Sequence, residues 1–198
     1  MELIRAHETE SPIKPMPLSF DLPQLIEAAN VALTRFPFKE WASQISLVHS
    51  ERSSGKERAY DGVGSLYEVG KKHPQRDPAE FKIFNEELRD LYLYDVYKQV
   101  CAWSPTPIGR VRIMNRKPYS CYSMHSDDSL RYHVALTGNP DCYFYFSGHP
   151  VMKIPIDGRL YEFNALLPHT AFNAGTTDRL HLVFDSLPNS RQEKTIKV

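Results

Sequence analysis

The stretch "LRYHVALTGNPDCYFYFSG" (130–148) decides the fold. Two runs rich in β-branched and aromatic residues are split by a Gly-Asn-Pro-Asp turn, the pattern of neighbouring strands. The texture continues on both sides. "RVRIMN" (110–115) and "CYSMHSD" (121–127) precede it, and "VMKIPI" (151–156), "RLYEFN" (159–164), "HTAFNAG" (169–175) and "RLHLVFDSL" (179–187) follow. Seven or eight short strands, each closed by turn residues, predict an antiparallel sandwich or barrel. A small barrel of about eight strands holds one small ligand in its mouth.

The half before residue 109 reads differently. Behind a lead punctuated by Pro12, Pro15 and Pro17, "DLPQLIEAANVALTRF" (21–36) spaces Leu22, Leu25, Ile26, Ala29, Leu33 and Phe36 along one helical face, with Asp21 as N-cap. "SQISLVHS" (43–50) alternates as a strand. The polar stretch 51–77 carries four glycines and predicts a long loop of the kind that serves as a lid. From Asp77 a second helix is predicted to run to Trp103 as the longest element, with Pro78 in its first position and Phe81, Phe84, Leu88 and Leu91 on one side. The expected organisation is a single domain, mainly β with N-terminal helices. It comprises an extended lead (1–20), helical support with a lid-like loop (21–108), a β core (109–187) and a solvated tail (188–198).

Bulk properties narrow the function classes. A chain of 198 residues buries roughly 70% of its unfolded surface, enough for one core. Lys+Arg and Asp+Glu balance at 24 each, which argues against nucleic acid as the main partner. Three cysteines with no close pair indicate neither a disulfide framework nor a CxxC site, and the chain has neither an apolar leader nor a membrane-length apolar run. A cytoplasmic location is expected.

The β half concentrates titratable groups. In a strand, residues two apart share a face, so His125 and Asp127 point together, as do Arg131 and His133, and Arg179 and His181. A His-x-Asp pair with a distant histidine is the spacing of the two-histidine, one-carboxylate triad that leaves open positions on Fe(II). Among His149, His169 and His181, His169 is chosen as the third ligand because it starts a strand after a proline turn; His181, between apolar residues, is read as a core histidine. Arg179 follows ten residues after His169, and a guanidinium there can grip a carboxylate with two parallel hydrogen bonds. Open metal positions beside such an arginine suggest that a dicarboxylate chelates the metal, and 2-oxoglutarate fits. Arg112, on one face of "GRVRIMN" with Arg110, is a candidate for a substrate carboxylate.

"YSMHSDDSLRYHVALTGNPDCYFYFSG" followed by "GRLYEFNALLPHTAFNAGTTDRLHLVFD" resembles the aspartyl/asparaginyl β-hydroxylase family of Fe(II)/2-oxoglutarate-dependent dioxygenases, over about 110–185. H-x-D, R-x-H, P-H-x-x-x-N and R-x-H-L-V-x-D occur in the family's order. The resemblance implies a double-stranded β-helix (a jelly-roll, cupin-like barrel) with His125, Asp127 and His169 as iron ligands and catalytic centre. It further implies Arg179 on the distal carboxylate of 2-oxoglutarate, and Arg131 and His133 in contact with the co-substrate. The implied reaction hydroxylates an unactivated C–H with dioxygen while 2-oxoglutarate is decarboxylated to succinate. The implied substrate is an amino acid or an aspartyl or asparaginyl residue of a peptide. A non-catalytic, cupin-like ligand-binding barrel and a zinc site are the competing readings.

Overall fold

The computed structural model describes residues 10–66 and 75–187; the tail from 188 and the start of the lead lie outside the described residues. The proline-punctuated lead is an edge strand, β1 (Ile13–Ser19), where a proline's missing N–H forfeits no central ladder bond. Helix α1 (Leu22–Arg35) starts as its sequence predicts. Asp21 Oδ1 accepts the Gln24 N–H at 3.0 Å, and Leu25, Ala28, Ala29 and Ala32 are buried. The single strand expected at 43–50 is broken into β2 (Gln44–Ser46) and β3 (Val48–His49).

The long helix expected from Asp77 to Trp103 is not formed. Asp77 caps only a 3₁₀ turn, Pro78–Glu80. The chain then extends as β4 (Ile83–Phe84), which pairs Phe84 with Val48 and Ile83 with His49. Asn85 N–H donates to Leu47 O while Asn85 Oδ1 caps the next 3₁₀ turn at Glu87 N–H. Burial of Phe81 and Phe84 in the core is thus met by strand pairing, and tertiary context overrides the helical period. Only α2 (Tyr92–Trp103) remains helical, two residues shorter than the 14-residue α1.

Seven strands follow: β5 (Ile108–Arg116), β6 (Ser120–Cys121), β7 (Arg131–Thr137), β8 (Cys142–Phe146), β9 (Arg159–Phe163), β10 (His169–Asn173) and β11 (Arg179–Ser186). The strand expected at 151–156 is reduced to one bridge, Met152 with Phe144, and that expected at 121–127 to β6 and a bridge between His125 and His169. All named pairs are antiparallel, in a six-stranded sheet β1-β9-β7-β11-β5-β2 and a three-stranded sheet β6-β10-β8. This is the antiparallel barrel that the strand pattern predicts and, in its two-sheet form, the double-stranded β-helix that the family resemblance implies.

Alternation along the large sheet divides its residues by destination. Tyr132, Val134 and Leu136 of β7, Leu182 and Phe184 of β11, and Val111 and Ile113 of β5 join a core with the buried side of α1 and α2. The opposite face looks toward the small sheet. Its apolar end is filled by Ala135, Phe144, Phe146, Phe163 and Ala171. The same face carries Arg131 and His133 on β7, Arg179, His181 and Asp185 on β11, and Arg110, Arg112 and Arg116 on β5. With the helices covering the other side, these polar groups are enclosed between the sheets.

Candidate metal centre

His125, Asp127 and His169 each bring one ligand atom to a common point, all within 4.8 Å of one another. Two local devices put them there. The backbones of His125 and His169 exchange both hydrogen bonds, His125 N–H to His169 O at 3.0 Å and the reverse at 2.8 Å, and Asp127 N–H donates to Ala165 O. Each ring is then oriented by its own neighbour, since His125 Nδ1 lies 2.8 Å from Ser123 O and His169 Nδ1 2.8 Å from Leu167 O. A carbonyl only accepts, so Nδ1 carries the hydrogen in both rings and both Nε2 lone pairs are free for a metal. Burial lowers the His169 pKa, which keeps that ring in the neutral, ligating form.

The carboxylate side of the centre is tied to a buried ion cluster. Arg131 Nη2 lies 2.8 Å from Asp127 Oδ2, and Arg131 Nε lies 3.3 Å from Asp185 Oδ1. Asp185 also takes Arg110 Nε at 2.8 Å and Arg112 Nη2 at 2.8 and 2.9 Å. Burial alone would push the Asp185 carboxyl up, but Arg112, Arg110 and Arg131 overcome it and hold it well below the usual carboxylate range. Burial, then repulsion from Arg110, lowers the Arg112 guanidinium to about 10. The cluster reaches the loop before residue 67: Arg110 Nη1 donates to Gly62 O and Gly64 O, while Gln44 Oε1 accepts from Arg112 Nη1 and Gly64 N–H. Gly64, Ser65 and Leu66 therefore border the centre. Residues 67–74 of the lid-like loop lie outside the described residues.

Two cavities meet at Phe144. One, of about 380 Å³, is lined by the three candidate ligands together with Arg110, Arg112, Arg131 and His133. The other, of about 480 Å³, is lined by Arg179 and His181. Arg179 is 6% exposed, its guanidinium lies 4.7 Å from the Phe144 ring centre, and its Nε and Nη1 are buried without a hydrogen-bond partner among the described residues. Burial lowers it to about 10, so it stays cationic at neutral pH. The turn that sets its distance from His169 is clasped by side chains. Asn173 Nδ2 donates to Arg116 O and Thr177 O, and Asn139 Nδ2 to Asn173 Oδ1 and Thr177 O.

The structure therefore gathers His125, Asp127, His169, Arg131, His133 and Arg112 around one cavity and sets Arg179 on the neighbouring one. His149 stays apart from the ligand group. Arg112 is 2% exposed and its Nη atoms are held by Asp185 and Gln44. Asp185 and Gln44 were not singled out from the sequence. Asp185 had a signal, since it continues the Arg179, His181 face of β11 at period two; Gln44 had none, because its role depends on β2 pairing with β5.

Within this double-stranded β-helix, two histidines and one carboxylate brought to a common point offer the donor set of a two-histidine, one-carboxylate metal centre. Residues 92–188 match the model of the aspartyl/asparaginyl beta-hydroxylase family. No curated protein sequence matches the chain. Among solved structures it is similar to AviO1 from Streptomyces viridochromogenes Tue57, at 14% identity over 90% of both chains and a TM-score of 0.51. It is also similar to an oxidoreductase of the 2OG-Fe(II) oxygenase family from Burkholderia pseudomallei, at 14% identity over 87% of this chain and 82% of that one, with a TM-score of 0.50. These two likenesses establish the fold. The chain spans only 39% of the DMSP lyase DddQ from Ruegeria pomeroyi DSS-3, at 16% identity over 41% of this chain and a TM-score of 0.34. Among the described residues no helix is long and apolar enough to cross a membrane.

Proposed function

We propose that the protein is an Fe(II)/2-oxoglutarate-dependent dioxygenase that hydroxylates an unactivated C–H of an amino acid or of an aspartyl or asparaginyl side chain. The observation that carries this reading is Arg179, a buried cation with unpartnered nitrogens beside a three-ligand centre. A buried charge left unpaired costs several kcal/mol, so the site calls for an anion. A structural metal in a non-catalytic barrel has no use for such a group, nor does a zinc site built for its own sake.

The residues fit the cofactor pair. His125 and His169 would hold iron through Nε2 and Asp127 through a carboxylate oxygen, a donor set that leaves positions open. Bound together, iron and 2-oxoglutarate supply the oxidising chemistry that turns C–H into C–OH with dioxygen and releases succinate and carbon dioxide. The chain's own groups orient and exclude. Arg179 grips the distal carboxylate of 2-oxoglutarate, Arg131 and His133 face the co-substrate, and Phe144 and Phe163 keep water from the space between. The Asp127–Arg131–Asp185 chain holds the carboxylate ligand in one rotamer. Arg110 and Arg112 line the metal cavity, but their guanidiniums are engaged by Asp185, Gln44 and the Gly62 and Gly64 carbonyls, so they shape its wall and hold Asp185 in place. The loop up to Leu66 covers the entrance. Three free cysteines suit a reducing cytoplasm.

Anaerobic titration of the purified protein with Fe(II) and 2-oxoglutarate tests this. A visible charge-transfer band, followed by succinate release in air, is expected. Folded protein that gives no band refutes the oxygenase reading. A mass-spectrometric screen of amino acids and peptides for the gain of one oxygen atom then identifies the substrate.

A further inference from the structure

We infer that His181 is a positioning residue: it donates its Nδ1–H to His133 Nδ1 and thereby fixes His133 with its hydrogen on Nε2, facing the metal cavity. The inference rests on the dioxygenase reading for its purpose, but its geometry stands alone. The two Nδ1 atoms are 3.3 Å apart, with the rings edge to face at 79°. His133 is 5% exposed and His181 3%. They sit as diagonal neighbours on paired strands, His133 opposite Val183 and His181 opposite Ala135. Phe144 packs edge-on against both, and Phe163 covers His133.

Two positively charged imidazoles cannot share that contact. Burial drives both pKa values well below the ordinary histidine value, and Arg131 and Arg179 reinforce the effect on His133. Both rings are therefore neutral, and a neutral imidazole has one donor nitrogen and one acceptor. One Nδ1 must donate and the other accept, so a hydrogen on one ring dictates the free nitrogen of its neighbour.

Which way the pair is polarised follows from what each ring meets. His133 Nε2 is buried, has no partner among the described residues, and belongs to a ring lining the metal cavity. A carboxylate co-substrate needs a donor there; a bare Nε2 would set its lone pair against the anion. With Nε2–H required, His133 Nδ1 is an acceptor, and among the described residues only His181 is placed to donate to it. His181 then keeps an acceptor Nε2 in a ring lining the cavity of Arg179, a guanidinium with spare hydrogens. The pair thus links the cavity of the metal ligands to the cavity of the anion-binding arginine. Each ring is polarised to suit its side.

The test compares two variants with the wild type. An asparagine at 181 retains an N–H donor near the Nδ1 position, whereas phenylalanine fills the space without one. The dissociation constant of 2-oxoglutarate is read from the charge-transfer band of anaerobic Fe(II)-loaded protein, alongside Fe(II) affinity and the melting temperature. Expected are a value near wild type for His181→Asn and a rise of about tenfold for His181→Phe, with Fe(II) affinity unchanged in both. Equal affinities in the wild type and His181→Phe overturn the inference, as does equal loss in both variants. The nitrogen-15 shifts of the His133 ring in the wild type, without co-substrate, give an independent reading: Nε2–H is expected, and a bare Nε2 overturns the inference. Absence of any band in the wild type strikes the dioxygenase reading instead, while the nitrogen-15 spectrum still decides the tautomer.

Discussion

Asp185→Asn is the substitution with the most to lose. The Asp185 carboxylate takes hydrogen bonds from Arg110 Nε and Arg112 Nη2 and an ion pair from Arg131 Nε, and the residue is 5% exposed. Neutralising it leaves three guanidiniums crowded in a buried space. Breaking a buried pair from one side costs about 3–5 kcal/mol, because the remaining charge is neither solvated nor matched. At about 2–4 °C per kcal/mol for a chain of this size, the melting temperature should fall by about 6–20 °C. The pH dependence carries the same signature. The folded-state pKa of Asp185 is depressed, so its contribution is complete above the unfolded carboxylate pKa of about 3.9 and is lost as pH falls through the lower, folded value. Wild-type stability therefore slopes downward into acid in that window, and this component of the slope vanishes in the variant. Urea unfolding between pH 2.5 and 7 measures both effects. Arg112→Met in the Asp185→Asn background should recover part of the loss, since it removes one stranded cation. A single variant within 1 kcal/mol of wild type, with an unchanged acid limb, would refute the assignment of Asp185 as the counter-charge of this wall.

Arg179→Met should abolish stabilisation by 2-oxoglutarate while leaving Fe(II) bound. Without ligand it should melt no lower than the wild type, because it deletes a buried cation whose Nε and Nη1 have no hydrogen-bond partner among the described residues; differential scanning calorimetry with and without co-substrate separates the two effects. His169→Ala should lose Fe(II) altogether by anaerobic equilibrium dialysis, where Arg179→Met does not. Asn139→Ala removes the clasp on the turn between β10 and β11 and should cost about 1–3 kcal/mol, with faster hydrogen exchange across 173–178 as the local readout. Deleting 62–66 should end coupled hydroxylation yet spare iron and 2-oxoglutarate binding, and retained turnover would remove the loop from the substrate entrance.

What the sequence made legible were features written at the period of a strand. Arg131 with His133, and Arg179 with His181, could be paired by counting in twos, and β7 and β11 carry them on one face. Asp185 continues the same count, so its omission was a failure to extend the row. The helix expected from Asp77 failed for a different reason. Phe81, Phe84 and Leu88 fit a helical stripe and are all buried, but Phe84 pairs with Val48 in a strand and Asn85 bonds to Leu47. Periodicity reports that a residue will be buried, and it cannot say by which partner. The sequence pointed to His125, Asp127 and His169, but not to the bonds that bring them together. His125 and Asp127 do not continue a strand; they are fixed by bonds to His169 and Ala165, reached across the barrel.

That difference bears on how the centre holds its charge. Two strands of the large sheet, β5 and β7, deliver Arg110, Arg112 and Arg131 to one inner face, and Asp185 of β11 is shared among them. The candidate metal ligands come instead from the small sheet and the loops entering it, and among the described residues Arg131 alone joins the two systems by pairing with both Asp127 and Asp185. A change on the sheet side therefore reaches the metal through one residue. Removing Asp185 leaves Arg131 to Asp127 alone, and a carboxylate pulled harder toward a guanidinium is a poorer ligand. Fe(II) affinity should accordingly drop by about 10- to 100-fold in Asp185→Asn, the usual toll for losing an outer partner of a ligand. In Arg131→Met/Asp185→Asn the further effect of Asp185→Asn on Fe(II) affinity should vanish, because the connection is already cut. If the two substitutions instead multiply, the sheet cluster influences the metal by a second route and the single-link account is wrong.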